Sequence, residues 1–351
     1  MDVSSTFSLI KDSKIMRSLT ATALFALLLT ASCTPKPTLS SDPHLATSAA
    51  QTSTPLAPRL VAHFDPAAGE LPEGLVVTRD AAYVGFAPTS RVVRVDVTSG
   101  VASAYGQLPL PVLGKGFMTG LAESPAGEVY AGLASFVPEV QAGIYRIPKA
   151  GGAAVLFAKD AALPFPNALA FDRAGALWAT DSGTGSVFHI DSKGNAERWA
   201  TGDALTGQKE GCNSAGPGFP IGANGIVVES DAVYVVNMDK ATLVKIPRDA
   251  AGKPGTPQIV AGPDCDALGG ADGLVRASDG SFVVAVNRQN KLVRVKADGL
   301  VETIASGPPF DFPASVAYRG TSLLVTNFAL KNASAGKPAA PGLVQLDSLT
   351  R

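Results

Sequence analysis

The sequence predicts an all-β fold, a six-bladed β-propeller whose ring is closed by pairing strands from the two ends of the chain. A short motif recurs six times: a residue that is usually polar, then glycine or another small residue, then an apolar run. The fullest case is Gly222-Ala223-Asn224-Gly225-Ile226-Val227-Val228. The small residues Gly74, Gly120, Ala168, Gly225, Gly273 and Ser315 are spaced 46, 48, 57, 48 and 42 residues apart, close to the period of roughly 40 to 50 residues expected of propeller blades. With 36 glycines, 26 prolines and only 17% charged residues in 351, the composition suits many tight turns between half-buried strands rather than long solvated helices.

In chain order, Lys11, Lys14 and Arg17 precede an apolar segment from Leu19 to Leu29, followed by Thr30-Ala31-Ser32-Cys33. These are the charged, hydrophobic and small-residue parts of an export signal. The segment is short for a spanning helix, which needs about 20 apolar residues. Residues 1–32 read as a signal peptide, with Met16 as an alternative start to Met1. The small residues before Cys33 resemble a bacterial lipobox, although Thr30 stands where leucine is usual. The expectation is an exported bacterial cell-envelope lipoprotein, facing the periplasm or the cell surface and anchored to the lipid bilayer through lipidation of Cys33. Ordinary cleavage near Ala31 or Ser32 is the alternative, and either route exports the chain.

Residues 33–58 are rich in Thr, Ser, Pro and Ala without apolar periodicity, which suits a disordered tether. The propeller is expected over residues 59–351. With Cys33 assigned to lipid, Cys212 and Cys265 remain, and an oxidising compartment permits a disulfide between them; two free buried thiols are the alternative.

Within each repeat the inner strand leads to a turn such as Asp172-Arg173-Ala174-Gly175, then to a second strand such as Ala176 to Thr180. Third strands alternate, as in Arg91 to Asp96, Ser186 to Asp191, Leu243 to Ile246 and Lys291 to Val295. Weaker fourth strands are expected over Ala153 to Ala158, Glu197 to Ala200, Pro257 to Ala261 and Val301 to Ala305. No fourth strand is evident after Leu343 to Asp347, and Arg59 to Phe64, ahead of blade one, is left to supply it. That closure removes an open sheet edge.

A net charge of -1 without a basic cluster gives no basis for nucleic acid as a partner. The three histidines, His44, His63 and His189, fall in the tether, the closing strand and an outer strand. They suit neither a Ser-His-Asp triad nor a histidine metal site. Asp181, Asn237, Asn287 and Asn327, recurring after second strands, read as hairpin-turn residues.

The blade-opening motifs run Glu73-Gly74, Thr119-Gly120-Leu121, Pro166-Asn167, Asn224-Gly225, Asp272-Gly273 and Pro313-Ala314-Ser315. In that order they resemble the family of senescence marker protein, gluconolactonase and luciferin-regenerating enzyme, over residues 59–351. The resemblance implies a divalent cation in the central channel, held by Glu73, Asn167, Asn224 and Asp272. Two carboxylates and two amides are also, by chemistry alone, a hard-cation oxygen set. Calcium is the first expectation, with magnesium, manganese or zinc as alternatives; zinc is disfavoured because the set lacks His and Cys.

The resemblance further implies hydrolysis of a lactone or related ester, with Asp272 as general base; the chain is expected to be a monomer. Sugar-lactone members often carry an arginine and an aspartate where this chain has Phe165 and Ala168, which points to a more apolar substrate. The insertion from Thr201 to Pro220 and the segment at Cys265 are expected on the channel mouth, where a disulfide would pin a lid. The competing expectation is a non-enzymatic propeller that binds a small ligand or an envelope protein.

Overall fold

The computed structural model describes residues 57–212 and 219–347. The signal segment, Cys33 and the tether up to residue 56 lie outside the described residues. Six sheets, each with four antiparallel strands, form the six blades of a β-propeller. From the axis outward, blade one comprises Pro72–Val77, Ala82–Phe86, Arg91–Val95 and Ala102–Gln107. Blade two comprises Gly116–Glu123, Val129–Ser135, Gly143–Ile147 and Val155–Ala158, and blade three Pro166–Phe171, Leu177–Asp181, Ser186–Ile190 and Ala196–Thr201. Blade four holds Ala223–Val228, Ala232–Asn237, Thr242–Pro247 and Gln258–Ala261, and blade five Ala271–Arg276, Phe282–Val286, Lys291–Val295 and Val301–Ser306. Blade six joins Pro313–Arg319, Ser322–Asn327 and Gly342–Leu346 to Arg59–His63 from the other end of the sequence. The closing strand thus sits where the leftover apolar run predicted it.

One expected strand divides. Val155–Ala158 completes blade two, whereas Gly152–Ala153 pairs in parallel with the outer strand of blade one. Gly151 and Gly152, at φ +80° and +103°, turn the chain between the two sheets, a conformation that a side chain would strain.

The core lies between adjacent blades. Val236 and Leu243 of blade four, for example, pack with Leu274, Phe282 and Val293 of blade five. Strand alternation gives each sheet two apolar faces, one for each neighbouring blade.

Each inner strand carries a register irregularity at the recurring motif: Pro72/Gly74, Met118/Leu121, Pro166/Leu169, Ala223/Ile226, Ala271/Leu274 and Pro313/Val316. A bulge of this kind re-aims the side chain it carries. The glycine serves close approach rather than a turn. A Cβ at Gly74, Gly120, Gly225 or Gly273 would lie 2.4, 2.6, 2.3 or 2.4 Å from the carbonyl oxygen of Thr119, Asn167, Asp272 or Ala314 in the next blade.

Blades three and six, which have Ala168 and Ser315 instead, bridge the gap with a threonine from the second strand. Thr180 Oγ1 accepts from the Ala168 amide (3.0 Å) and donates to the Asn224 carbonyl (2.7 Å). Thr326 Oγ1 accepts from the Ser315 amide (2.8 Å) and donates to the Glu73 carbonyl (2.9 Å). All six blade junctions are therefore set at the backbone of one ring of residues.

Candidate functional site

That ring is Glu73, Thr119, Asn167, Asn224, Asp272 and Ala314, one residue from each bulge. Glu73, Asn167, Asn224 and Asp272 are all buried. Glu73 Oε2 is buried without a hydrogen-bond partner among the described residues. Burial, and then the neighbouring charge of Asp272, push the Glu73 carboxyl well above the usual carboxylate range. Burial also raises Asp272, to about 7, against the opposing effect of hydrogen bonds from Asn287 and Asn224. Two buried carboxyl groups repel each other here, and one has an oxygen without a partner among the described residues. The ring fits a divalent cation on this ground, and its oxygen-only donor set suits a hard one.

The amides are oriented by the layer behind them. Ser182 Oγ donates to the Ala223 carbonyl at 2.6 Å, which uses its one hydrogen. It can then only accept from Asn167, whose Nδ2 lies 2.8 Å away. This fixes the amide so that Nδ2 faces Ser182 and Oδ1 remains the free oxygen donor. Asn287 Nδ2 donates to Asp272 Oδ2 at 2.9 Å, while Asn287 Oδ1 is buried and unpartnered among the described residues.

Asn287 is thus a site residue rather than the hairpin-turn residue the sequence suggests. Asp181, Asn237 and Asn327 do hold loops: Asp181 accepts from the Phe165 and Thr184 amides, and Asn237 donates to the Ala204 and Thr206 carbonyls. Asn327 donates to those of Pro309 and Ala340. In sequence these four positions look alike. Only the blade-five member faces a carboxylate.

Phe117, Phe136, Phe165 and Phe219 pack edge-on or tilted beside the ring, with centroid separations from 5.3 to 6.3 Å. Phe165, two residues before Asn167, is buried at the centre of this cluster. The buried Asp239 ties the insertion before blade four to the strand that follows it: its Oδ2 accepts from the Gln208 amide at 3.0 Å and the Ile221 amide at 2.6 Å. Cys212 and Cys265 form a disulfide with a Cα–Cα distance of 5.0 Å. A Cβ at Gly269 would lie 3.2 Å from Cys212 Cβ, so the bridge sits against the chain entering Asp272.

No protein-family model matches the chain, and no curated protein matches it. Solved structures do. Regucalcin from Agrobacterium tumefaciens, described as a calcium-binding protein, is 21% identical with a TM-score of 0.60, covering 85% of this chain and 98% of its own. A Xanthomonas campestris gluconolactonase is 15% identical, TM-score 0.56, covering 84% of this chain and 95% of its own. A luciferin-regenerating enzyme is 13% identical, TM-score 0.59, covering 84% and 96%. Virginiamycin B lyase and an aldose sugar dehydrogenase share the architecture as well, so the likeness is one of fold. The structural neighbours of this chain include the regucalcin, gluconolactonase and luciferin-regenerating enzyme propellers.

Proposed function

We propose that this protein is a divalent-cation-dependent hydrolase of a lactone or related ester, exported to the cell envelope and anchored there through Cys33. The observation that carries the reading is the buried Glu73–Asp272 pair, with Glu73 Oε2 unpartnered among the described residues. Glu73, Asn167, Asn224 and Asp272 would hold the cation, with calcium the first candidate because all four offer oxygen. When bound, the cation supplies Lewis acidity, polarising the substrate carbonyl and stabilising the oxyanion formed on attack by water.

The chain's own residues do the rest. Asp272, raised by burial and steadied at Oδ2 by Asn287, takes the proton of the attacking water. Ser182 keeps the Asn167 amide turned so that its oxygen is available to the site. The phenylalanine cluster beside Asn167 keeps that side of the site apolar and sparing of water.

The test is a panel of lactones and aryl esters assayed before and after chelation, alongside Asp272→Ala. Loss of turnover in both treatments is expected; activity that survives both sinks the mechanism. The calcium-binding description of regucalcin favours a second reading, a cation-binding propeller without turnover. Calcium binding with no hydrolysis across the panel would select it.

A further inference from the structure

Two residues before each ring position the chain has Leu71, Phe117, Phe165, Gly222, Gly270 and Phe312. Four of these are apolar and connected. Phe117 meets Phe165 edge-on at 5.3 Å, and Phe117 and Phe312 both pack against the cluster containing Leu71, Ala314 and Phe328. An apolar arc therefore runs over blades six, one, two and three. Blades four and five have glycine instead, and each gap is filled differently. At Gly222 a Cβ would lie 2.2 Å from the Leu205 carbonyl oxygen, so backbone occupies the space. At Gly270, φ +88°, the filler is Arg288, whose Cβ and Cγ both lie 3.1 Å from the place a Cβ would take.

The same notch contains Asn287 Oδ1, 2.8 Å from that place, buried and without a partner among the described residues. Arg288 is half-buried, and no hydrogen bond or ion pair engages its guanidinium among the described residues. Burial works against its charge, and Asp239 attracts it without forming an ion pair. Asp239 Oδ2 is already engaged by the Gln208 and Ile221 amides. A partly desolvated guanidinium with unused donors is matched by a carboxylate, which accepts two parallel bonds from it.

We propose that Arg288 binds a carboxylate on the substrate, so that the site selects an apolar lactone or ester carrying that group. The apolar body lies against the Leu71–Phe117–Phe165–Phe312 arc, and the carboxylate enters the blade-five notch. Asn287 Oδ1 is there to accept from a donor beside the carboxylate. For its reaction, though not for its binding, the proposal rests on the hydrolase reading above.

The test compares 4-acetoxybenzoate with 4-acetoxybenzamide, which differ only in the charged group, on calcium-loaded protein. In Arg288→Gln the ratio of kcat/KM for the acid to that for the amide should fall about tenfold or more, mainly through KM. Arg288→Met, which keeps the stem over Gly270, should show the same fall, and Arg288→Lys should recover part of it. An unchanged ratio in both Arg288→Gln and Arg288→Met overturns the proposal. Calorimetric titration with 3-phenylpropionate and 3-phenylpropionamide gives an answer independent of turnover. Tighter binding of the acid, lost in Arg288→Met, supports the proposal even if neither ester is hydrolysed, an outcome that would count against the hydrolase reading alone. Equal binding of acid and amide by the unaltered protein overturns the proposal even if hydrolysis occurs.

Discussion

Asp272 has to serve two ends at once, as part of a buried carboxylate pair and as a proton acceptor, and its titration exposes both. Its carboxyl is raised to about 7, and that of Glu73 is raised as well, whereas both titrate near pH 4 in an unfolded chain. Without cation the folded protein therefore holds protons that the unfolded chain has released. The stability contributed by the neutral forms is complete below pH about 4 and is lost as pH rises through about 7. The melting temperature of chelator-treated protein should accordingly fall between about pH 5 and pH 8 more steeply than that of Asp272→Asn. Calcium should raise it more at the higher pH, where the pair is ionised. A larger calcium effect at the lower pH would contradict this account of the pair. On activity, Asp272→Asn should lower kcat by roughly 100-fold or more, the scale of a lost general base. That Glu73, Asn167, Asn224 and Asp272 stand at matching places on four inner strands was legible in sequence, because blade order singled them out. Asn287 and Ser182 were not, because an asparagine or serine after a second strand looks the same whether it caps a turn or orients a site residue.

At the scale of the inner strand, the motif glycine proves to be a packing residue. A methyl group at Gly225 would lie 2.3 Å from the Asp272 carbonyl oxygen, an immobile backbone atom. Gly225→Ala should therefore destabilise the fold by about 2 kcal/mol or more, by overpacking. It should also weaken calcium binding, since the atom pushed aside belongs to Asp272; denaturant melts and calcium titration together check both effects. Where the glycine is missing, a threonine stands in the second strand. Thr326→Val leaves the Glu73 carbonyl and the Ser315 amide without their shared partner, a cost of about 1–3 kcal/mol, while Thr326→Ser should recover most of it. The blades themselves were legible because a glycine-marked apolar run repeats at a nearly constant period. The junctions were not, because Thr180 and Thr326 act across blades, on residues 44 and 253 positions away. The division of Ala153–Ala158 was not legible for a similar reason: Ala153 pairs with Gln107, 46 residues away in the neighbouring blade, within a run whose strand propensity is continuous.

Across the whole molecule, the ring holds only if its ends meet. Arg59–His63 pairs antiparallel with Gly342–Leu346, placing Arg59 opposite Gln345 and His63 opposite Gly342. The seal is mainly apolar and main-chain in character. Ala62 and Phe64 are buried, Phe64 meets Phe86 of blade one edge-on at 4.9 Å, and its amide donates to the Pro341 carbonyl at 3.0 Å. A Cβ at Gly342 would lie 2.3 Å from the Ala62 carbonyl oxygen, so the two termini approach as closely as the blades do at the axis. The ion pair between Arg59 and Asp347 spans 3.5 Å but is exposed on both sides, and exposed pairs contribute little. Two variants separate these contributions. Arg59→Ala should change the melting temperature by no more than a few degrees. Deletion of residues 57–64 should lower it by about 10 °C or more and increase aggregation, because Gly342–Leu346 becomes an open edge and the core facing blade one is uncovered. Because blades six and one flank Glu73, whose carbonyl receives the Thr326 hydroxyl, the same deletion should weaken calcium binding although it removes no ligand. An unchanged melting temperature would mean that the six blades cohere without their closure. Unchanged calcium affinity despite a lowered melting temperature would mean that the ring of donors is set by its local bulges alone.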